Sequence, residues 1–164
     1  MLTTKRLFLR RVRMEDLQDL HLVFSNPDAM LYWDSLPYES MAQTEKLLSA
    51  MTAALSDESD DFVIEYNGRV IGKAGCWRCG EIGYILHPDF WGKGLAHEAL
   101  SAVIPHNFEH LPIDRLVADV DPRNAASLKL LDRLGFTEFE RASRTLLIGD
   151  EWCDSIYLEL PRPS

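Results

Sequence analysis

Three cysteines in 164 residues are too few for a disulfide framework. Cys76, Cys79 and Cys153 cannot all pair with one another. Cys76 and Cys79 have C-x-x-C spacing, but they close an apolar strand pattern instead of preceding a helix. No second cysteine pair or histidine cluster completes a zinc set, so reduced thiols and no metal are expected. No run approaches the roughly 18 apolar residues of a membrane span, and the charged N-terminus lacks a signal-peptide apolar segment. A cytoplasmic protein without membrane contact is expected. Basic residues are the other scarcity: 17 Lys+Arg against 26 Asp+Glu give a formal charge of −9. That sign disfavours nucleic acid and favours cationic ligands, unless the charge serves solubility alone. No internal repeat or low-complexity segment stands out. With 46% hydrophobic and 26% charged residues, one domain spanning residues 1–164 with its own core is expected.

What is present is periodic. Residues 6–12 alternate as a half-buried strand does, and residues 14–24 place Leu17, Leu20, Val23 and Phe24 at helical spacing. Asn26-Pro27 breaks that helix. Ser40 followed by Gln43 has the form of a capping box and predicts a helix through about Leu55. Residues 62–66 and 69–75 flank Asn67-Gly68, the signature of a type I′ hairpin. Strands are predicted at residues 81–86 and 115–120, and helices at 93–108 and 124–134. Residues 137–148 and 152–160 read as antiparallel strands around Gly149-Asp150-Glu151. The order β-α-α-β-β-β-α-β-α-β-β describes a mixed α/β sheet.

Residues 84–99 are the most informative stretch. An apolar strand ends at Leu86, a proline turn follows, and Gly92-Lys93-Gly94-Leu95-Ala96 opens a helix. Small residues there leave the first helical N–H groups bare, and the macrodipole adds positive potential, which suits a pyrophosphate. A glycine-started helix can equally be a plain turn. A second strand–helix unit has Asn124 at an N-cap position and Gly135 at a left-handed C-cap position.

Together these two units resemble the GNAT superfamily of N-acetyltransferases. That family's motif is Gln or Arg, two residues, Gly, one residue, then Gly or Ala. It maps onto 91–96, with Gly94 and Ala96 in their slots and Trp91 in place of the first residue. The blocks at 90–99, 81–84 and 4–11, with Asn124, Ser127 and Leu134-Gly135-Phe136, are similar to the branch named after ribosomal-protein N-terminal acetyltransferases. The resemblance covers about residues 4–160. It implies the GNAT fold, a mixed central sheet whose central strands splay apart, flanked by helices.

The resemblance also implies acetyl-CoA as co-substrate, direct transfer in a ternary complex, and a primary amine as acceptor. That acceptor is either a protein N-terminus or a small amine, and a homodimer is left open. The expected cofactor-binding set is Ile85 or Leu86 through backbone N–H, Trp91, Gly92, Lys93, Gly94, Leu95, Ala96, Asn124 and Ser127. Lys93, Arg123, Lys129 and Arg133 are candidates to meet the phosphates. Many relatives carry a Tyr acid seven residues after the Asn; here that position is Leu131, and Ser127 is the hydroxyl left on the right helix face. Glu81 is the carboxylate beside the cofactor strand and the candidate base, with Asp119 and His87 as alternatives. The histone-acetylating branch places its Glu one residue earlier, at Gly80 here, which leaves Glu81 open to a solvated reading. Tyr32, Trp33 and Tyr38 lie where the family's acceptor loop lies, as ligand contacts or as core. The other functional class compatible with the lost Tyr is a non-catalytic acyl-CoA-binding or regulatory module of the same fold.

Overall fold

The computed structural model describes residues 1–54 and 56–164. A two-residue strand, β1 (Leu2–Thr3), precedes β2 (Leu7–Arg10), which is shorter than the alternating segment because Arg11 and Arg13 leave the ladder. A 3₁₀ turn (Met14–Asp16) leads into α1 (Leu17–Phe24). The chain then crosses residues 25–40 to α2 (Met41–Ala53). Gln43 Oε1 accepts from the backbone N–H groups of Glu39 and Ser40, as the capping pattern predicts. The expected end of α2, at about Leu55, lies outside the described residues.

The hairpin of β3 (Asp60–Tyr66) and β4 (Arg69–Arg78) turns at Asn67 and Gly68, both at positive φ. β5 (Glu81–Leu86) follows, then a 3₁₀ turn (Pro88–Phe90) and α3 (Leu95–His110). α3 starts two residues later than predicted because Gly92 and Gly94 are both left-handed, at φ +73°. It also continues through Pro105 to His110. β6 (Arg115–Val120), α4 (Ala125–Arg133), β7 (Thr137–Ile148) and β8 (Glu151–Pro161) complete the chain.

The eight strands form one sheet in the order β1-β2-β3-β4-β5-β6-β8-β7. Every neighbouring pair is antiparallel except β5 and β6. Those two are parallel and meet at one register point, Glu81 opposite Val117, where Val117 N donates to Gly80 O at 2.8 Å. Beyond it they separate, so the predicted splay is present.

Alternation of side chains divides the core in two. Ile82 and Leu86 join Leu95, Leu100, Val103 and Leu116 under α3, while Val63, Val70 and Ile85 pack with Leu20, Phe24 and Leu48 of α1 and α2. A buried ion network closes the first strands: Arg10 grips Asp16 with two hydrogen bonds (2.8 and 2.9 Å) and Glu65 with a third at 2.8 Å. Burial alone would raise the Asp16 carboxyl, but the Arg10 guanidinium and the Arg13 backbone amide hold it below its ordinary value. Among the described residues no helix is long and apolar enough to cross a membrane. The three cysteines are unpaired, and burial pushes the Cys76 thiol to about 11, which leaves it protonated and inert.

Candidate active site

The split between β5 and β6 leaves backbone groups unclaimed by the sheet. His87 N bonds back to Ile71 O on β4, and strand alternation then turns Ile85 toward β4 as well. Tyr84 and Leu86 face the open edge instead. Of the two amides expected to meet a pantetheine arm, Leu86's is therefore the available one, with Tyr84's one step behind. The Ile85 amide is committed to β4, and the Ile85 side chain is buried under α1.

Three cavities run together through this split, and Tyr32 and Trp33 border all of them. One of about 430 Å³ follows Tyr84 and Leu86 to Trp91, Gly92, Gly94 and Ala96, with Asn124, Ser127 and Arg133 on its other wall. A small one of about 90 Å³ sits in the split itself. The third, about 360 Å³, opens under α2 on the opposite face of the sheet.

The turn at 91–96 has the form that a phosphate cradle requires. A Cβ built on Gly92 would meet nothing within 4 Å, so the space beside it is open. The Trp91 indole donates to Leu86 O at 3.0 Å, tying the turn to the end of β5. Trp91 thus supplies a hydrogen bond from the slot where the motif has Gln or Arg. Leu95 is buried and offers only its backbone. Lys93 is placed differently from expectation: its ammonium lies over the Phe90 ring at 5.5 Å, and Arg6 Nη1 holds its carbonyl at 2.9 Å. Arg6, paired with Glu98 at 2.6 Å, stands within 3.6 Å of a Cβ built on Gly94. It is a cation beside the candidate phosphate turn that sequence reading passed over, because its partner is 92 residues away.

Arg123 is corrected more sharply. Its guanidinium is bound by Asp121 (2.8 Å) and Glu151 (2.7 Å), lies over the Tyr32 ring at 5.5 Å, and does not line the groove that runs from Tyr84 to Ala96. Arg133 lines that groove. Asn124 Oδ1 accepts from Ser127 N at 3.2 Å, so the capping role is real, while both residues also border the groove. Leu131 fills its position as a buried core residue. Burial pushes the Tyr84 phenol up, and the nearby Ser127 side chain offsets part of that rise.

The cavity under α2 holds the acids. Glu81 lines it, half-buried, with Asp119 and Asp34. The register irregularity falls on β4, between Cys76 and Arg78, so Glu81 keeps regular alternation with Gly83 and Ile85 on the α2 face. The solvated-edge reading is therefore set aside. Burial raises the Glu81 carboxyl, Arg78 lowers it, and the charges of Asp119 and Asp34 raise it further. Asp119 is raised by burial and by the charges of Asp121 and Asp34, with the nearby Ser155 side chain lowering it in part. His87 caps the 3₁₀ turn by accepting from Asp89 N and does not border this cavity. Tyr38 stacks on Phe24 with ring centroids 5.3 Å apart, and Trp33 meets Phe24 edge-on at 5.8 Å, so these aromatics are at once core and wall. Asp34 and Gly83 were missed. The one signal for Asp34 was an acid following Tyr32 and Trp33 between two helices; a strand glycine gave none.

A sequence profile described as an acetyltransferase (GNAT) domain matches residues 6–137. An uncharacterized N-acetyltransferase p20 of Bacillus licheniformis is 30% identical over 161 residues, covering 89% of this chain and 90% of that one. The spermidine N(1)-acetyltransferase of Escherichia coli (strain K12) is also 30% identical, over 158 residues, covering 90% of this chain and 82% of its own. Among solved structures, the spermidine N-acetyltransferase of Vibrio cholerae in complex with CoA and spermine superposes with a TM-score of 0.80 at 23% identity, covering 95% of each chain.

Proposed function

Because the chain belongs to the acetyltransferase (GNAT) family, and is thereby an acetyl-CoA-dependent N-acyltransferase, we propose that its acceptor is a small cationic amine and that Glu81 receives the amine's proton. The observation that carries this reading is the cavity under α2. Six carboxylates border it among the aromatic walls Tyr32, Trp33, Tyr38 and Trp77: Asp34, Glu81, Asp119 and Asp154, with Asp121 paired to Arg123 and Asp61 paired to Lys73, the one basic lining residue among the described residues. Mutually repelling carboxylates are relieved by a bound cation, and aromatic faces attract one. The Vibrio cholerae relative bound to spermine and the Escherichia coli spermidine enzyme point to the same acceptor class. A protein N-terminus would have to enter this acidic chamber with its backbone.

The donor would lie along the opposite wall, with its pyrophosphate at Gly92 to Ala96 and its arm along the open edge of β5, between Leu86 and Asn124. The amine, entering from the α2 side, gives its proton to Glu81 and attacks the thioester carbon within the split. Backbone N–H groups of Leu86 and Tyr84, fixed by the sheet, face the charge that develops on the carbonyl oxygen. The departing thiolate accepts a hydrogen bond from the Ser127 hydroxyl, which borders the groove, and takes its proton from solvent. Binding both reactants on the two sides of one sheet calls for no covalent carrier, and direct transfer follows.

The test is thiol release from acetyl-CoA across diamines, polyamines, neutral amines and acidic peptides. Polyamines and diamines should show the lowest KM, rising with salt as the Debye length falls from about 10 Å at 0.1 M to about 3 Å at 1 M. Turnover confined to neutral or acidic acceptors, or a salt-independent KM, would overturn the assignment.

A further inference from the structure

The cavity under α2 is not uniform across the sheet. Its free carboxylates lie toward β6 and β8, with Asp119 on β6, Asp121 just beyond that strand and Asp154 on β8. On the other side of β5 the cavity runs beside β3 and β4 and beneath α2. There the helix contributes Leu47, Ala50 and Met51 from one face and Ala54 from its C-cap, and β4 contributes Trp77. Leu47 and Met51 pack against the core of α1 and α2, whereas Ala50 is exposed, and its small side chain leaves the space beneath the helix unfilled. The polar side chains on this side are already committed to one another or to the backbone. Lys73 and Asp61, both buried, are bonded at 2.5 Å, Asp61 Oδ1 accepts from Phe62 N at 3.2 Å, and Ser59 Oγ donates to Cys76 O at 3.3 Å. Glu81, on β5, stands between the two sides.

We infer that the acceptor is an amine bearing a hydrocarbon substituent, alkyl or aryl, that lies beneath α2 while its ammonium sits at Glu81. The inference rests on the reading of this cavity as the acceptor site and adds what the rest of the acceptor must be. Apolar lining alone is common to ligand pockets; the segregation of charge from hydrocarbon is what points to an amphipathic ligand. A second ammonium directed beneath α2 would lose its water against Leu47, Ala50 and Met51. The carboxylate on that side, Asp61, is already held by Lys73, and burying a charge without a partner is costly. A hydrocarbon group needs no partner there and gains from leaving water. Further cationic groups belong on the β6 and β8 side, among the acids. At about 360 Å³ the whole cavity is at the small end of ligand sites, so the substituent is short.

The test measures thiol release from acetyl-CoA with unbranched primary alkylamines from propylamine to hexylamine, all cationic at neutral pH, beside diaminobutane. Each added methylene should lower the acceptor KM by roughly two- to fourfold, the range from partial to full burial of a CH₂ group. Ala50→Glu places a carboxylate on the exposed helix face above the substituent and suits a helix. With a native circular dichroism spectrum, it should bring the ratio of kcat/KM for hexylamine to that for propylamine down toward one. Turnover of diaminobutane with a flat alkylamine series would leave the acceptor site standing and overturn this inference. A series as steep in Ala50→Glu as in wild type would put the hydrocarbon elsewhere and overturn it too. Failure to turn over any cationic amine would overturn both readings together.

Discussion

Replacing Gly83 by alanine should make this protein more stable and a poorer catalyst. Gly83 sits inside β5 opposite Gly75, on the face it shares with Glu81, and borders both the acceptor cavity and the small cavity of the split. A Cβ added there meets no atom within 4 Å, and the backbone is not left-handed, so the fold gives alanine no resistance. Gly75 is the contrast, since its Cβ would stand 2.5 Å from Asp60 O. Glycine in a strand interior costs about 0.5–1 kcal/mol relative to alanine, much of it through unfolded-chain entropy. For a chain of this size that is a rise of roughly 1–4 °C in Tm. The same methyl group would occupy the space where amine and thioester carbon must come within about 3–3.5 Å, and a displacement near 1 Å costs on the order of 10²-fold. The measurement pairs thermal melts with initial rates of thiol release, and adds CoA calorimetry to show the cradle intact. Gly83→Val should lower kcat/KM further still. Unchanged kcat/KM in Gly83→Ala would refute the argument that this glycine keeps the reaction space open.

Three further outcomes are expected. Gly94→Glu puts a carboxylate at the start of α3 and should abolish CoA binding by calorimetry while the circular dichroism spectrum stays native; unchanged affinity would remove the phosphate assignment from this turn. Glu81→Gln should lower kcat/KM by roughly 10²–10⁴-fold, and the acidic limb of the wild-type pH–rate profile, which lies above the ordinary glutamate value because the Glu81 carboxyl is raised, should move or vanish; a profile with both limbs intact excludes Glu81. Asp16→Ala leaves the buried Arg10 guanidinium with Glu65 as its remaining carboxylate and two N–H groups unpaired, and should cost about 3 kcal/mol in denaturant unfolding. Because the folded Asp16 pKa is lowered, its contribution is present above the unfolded aspartate value and fades as pH falls through the folded one, so wild type and variant should converge in acid; a constant gap down to low pH contradicts this.

From β2 onward the order of elements was legible because it carries local marks: the alternation in β2, the Asn67-Gly68 turn, the Gln43 cap, and the glycines before α3. Gly92 to Ala96 was legible for the same reason, since backbone exposed by small residues is written directly in the chain. What sequence could not give was pairing across distance. Nothing around Arg6 announces Glu98, and nothing around Arg123 announces Glu151, so one cation at the cradle was missed and another was misplaced there. The orientation of Glu81 depended on whether the bulge fell on β4 or β5, which only the register shows. Leu131 marked the lost acid, but nothing in the chain announced that Tyr84 of β5 and Ser127 of α4 border the same cavities.

The single register point between β5 and β6 makes the sheet two plates joined by a seam, β1 to β5 on one side and β6, β8 and β7 on the other. A donor arm lying in that seam, as proposed, would replace the missing strand pairing, so occupancy would be mortar as well as chemistry. A ligand bound only to the folded state adds RT ln(1 + [L]/Kd), about 2.7 kcal/mol at a hundred times Kd. The gain should concentrate where the plates meet, as slowed hydrogen exchange at Tyr84, Leu86 and Asp119. With the donor placed as proposed, the supply of acetyl donor would set how tightly the two halves of this molecule hold together.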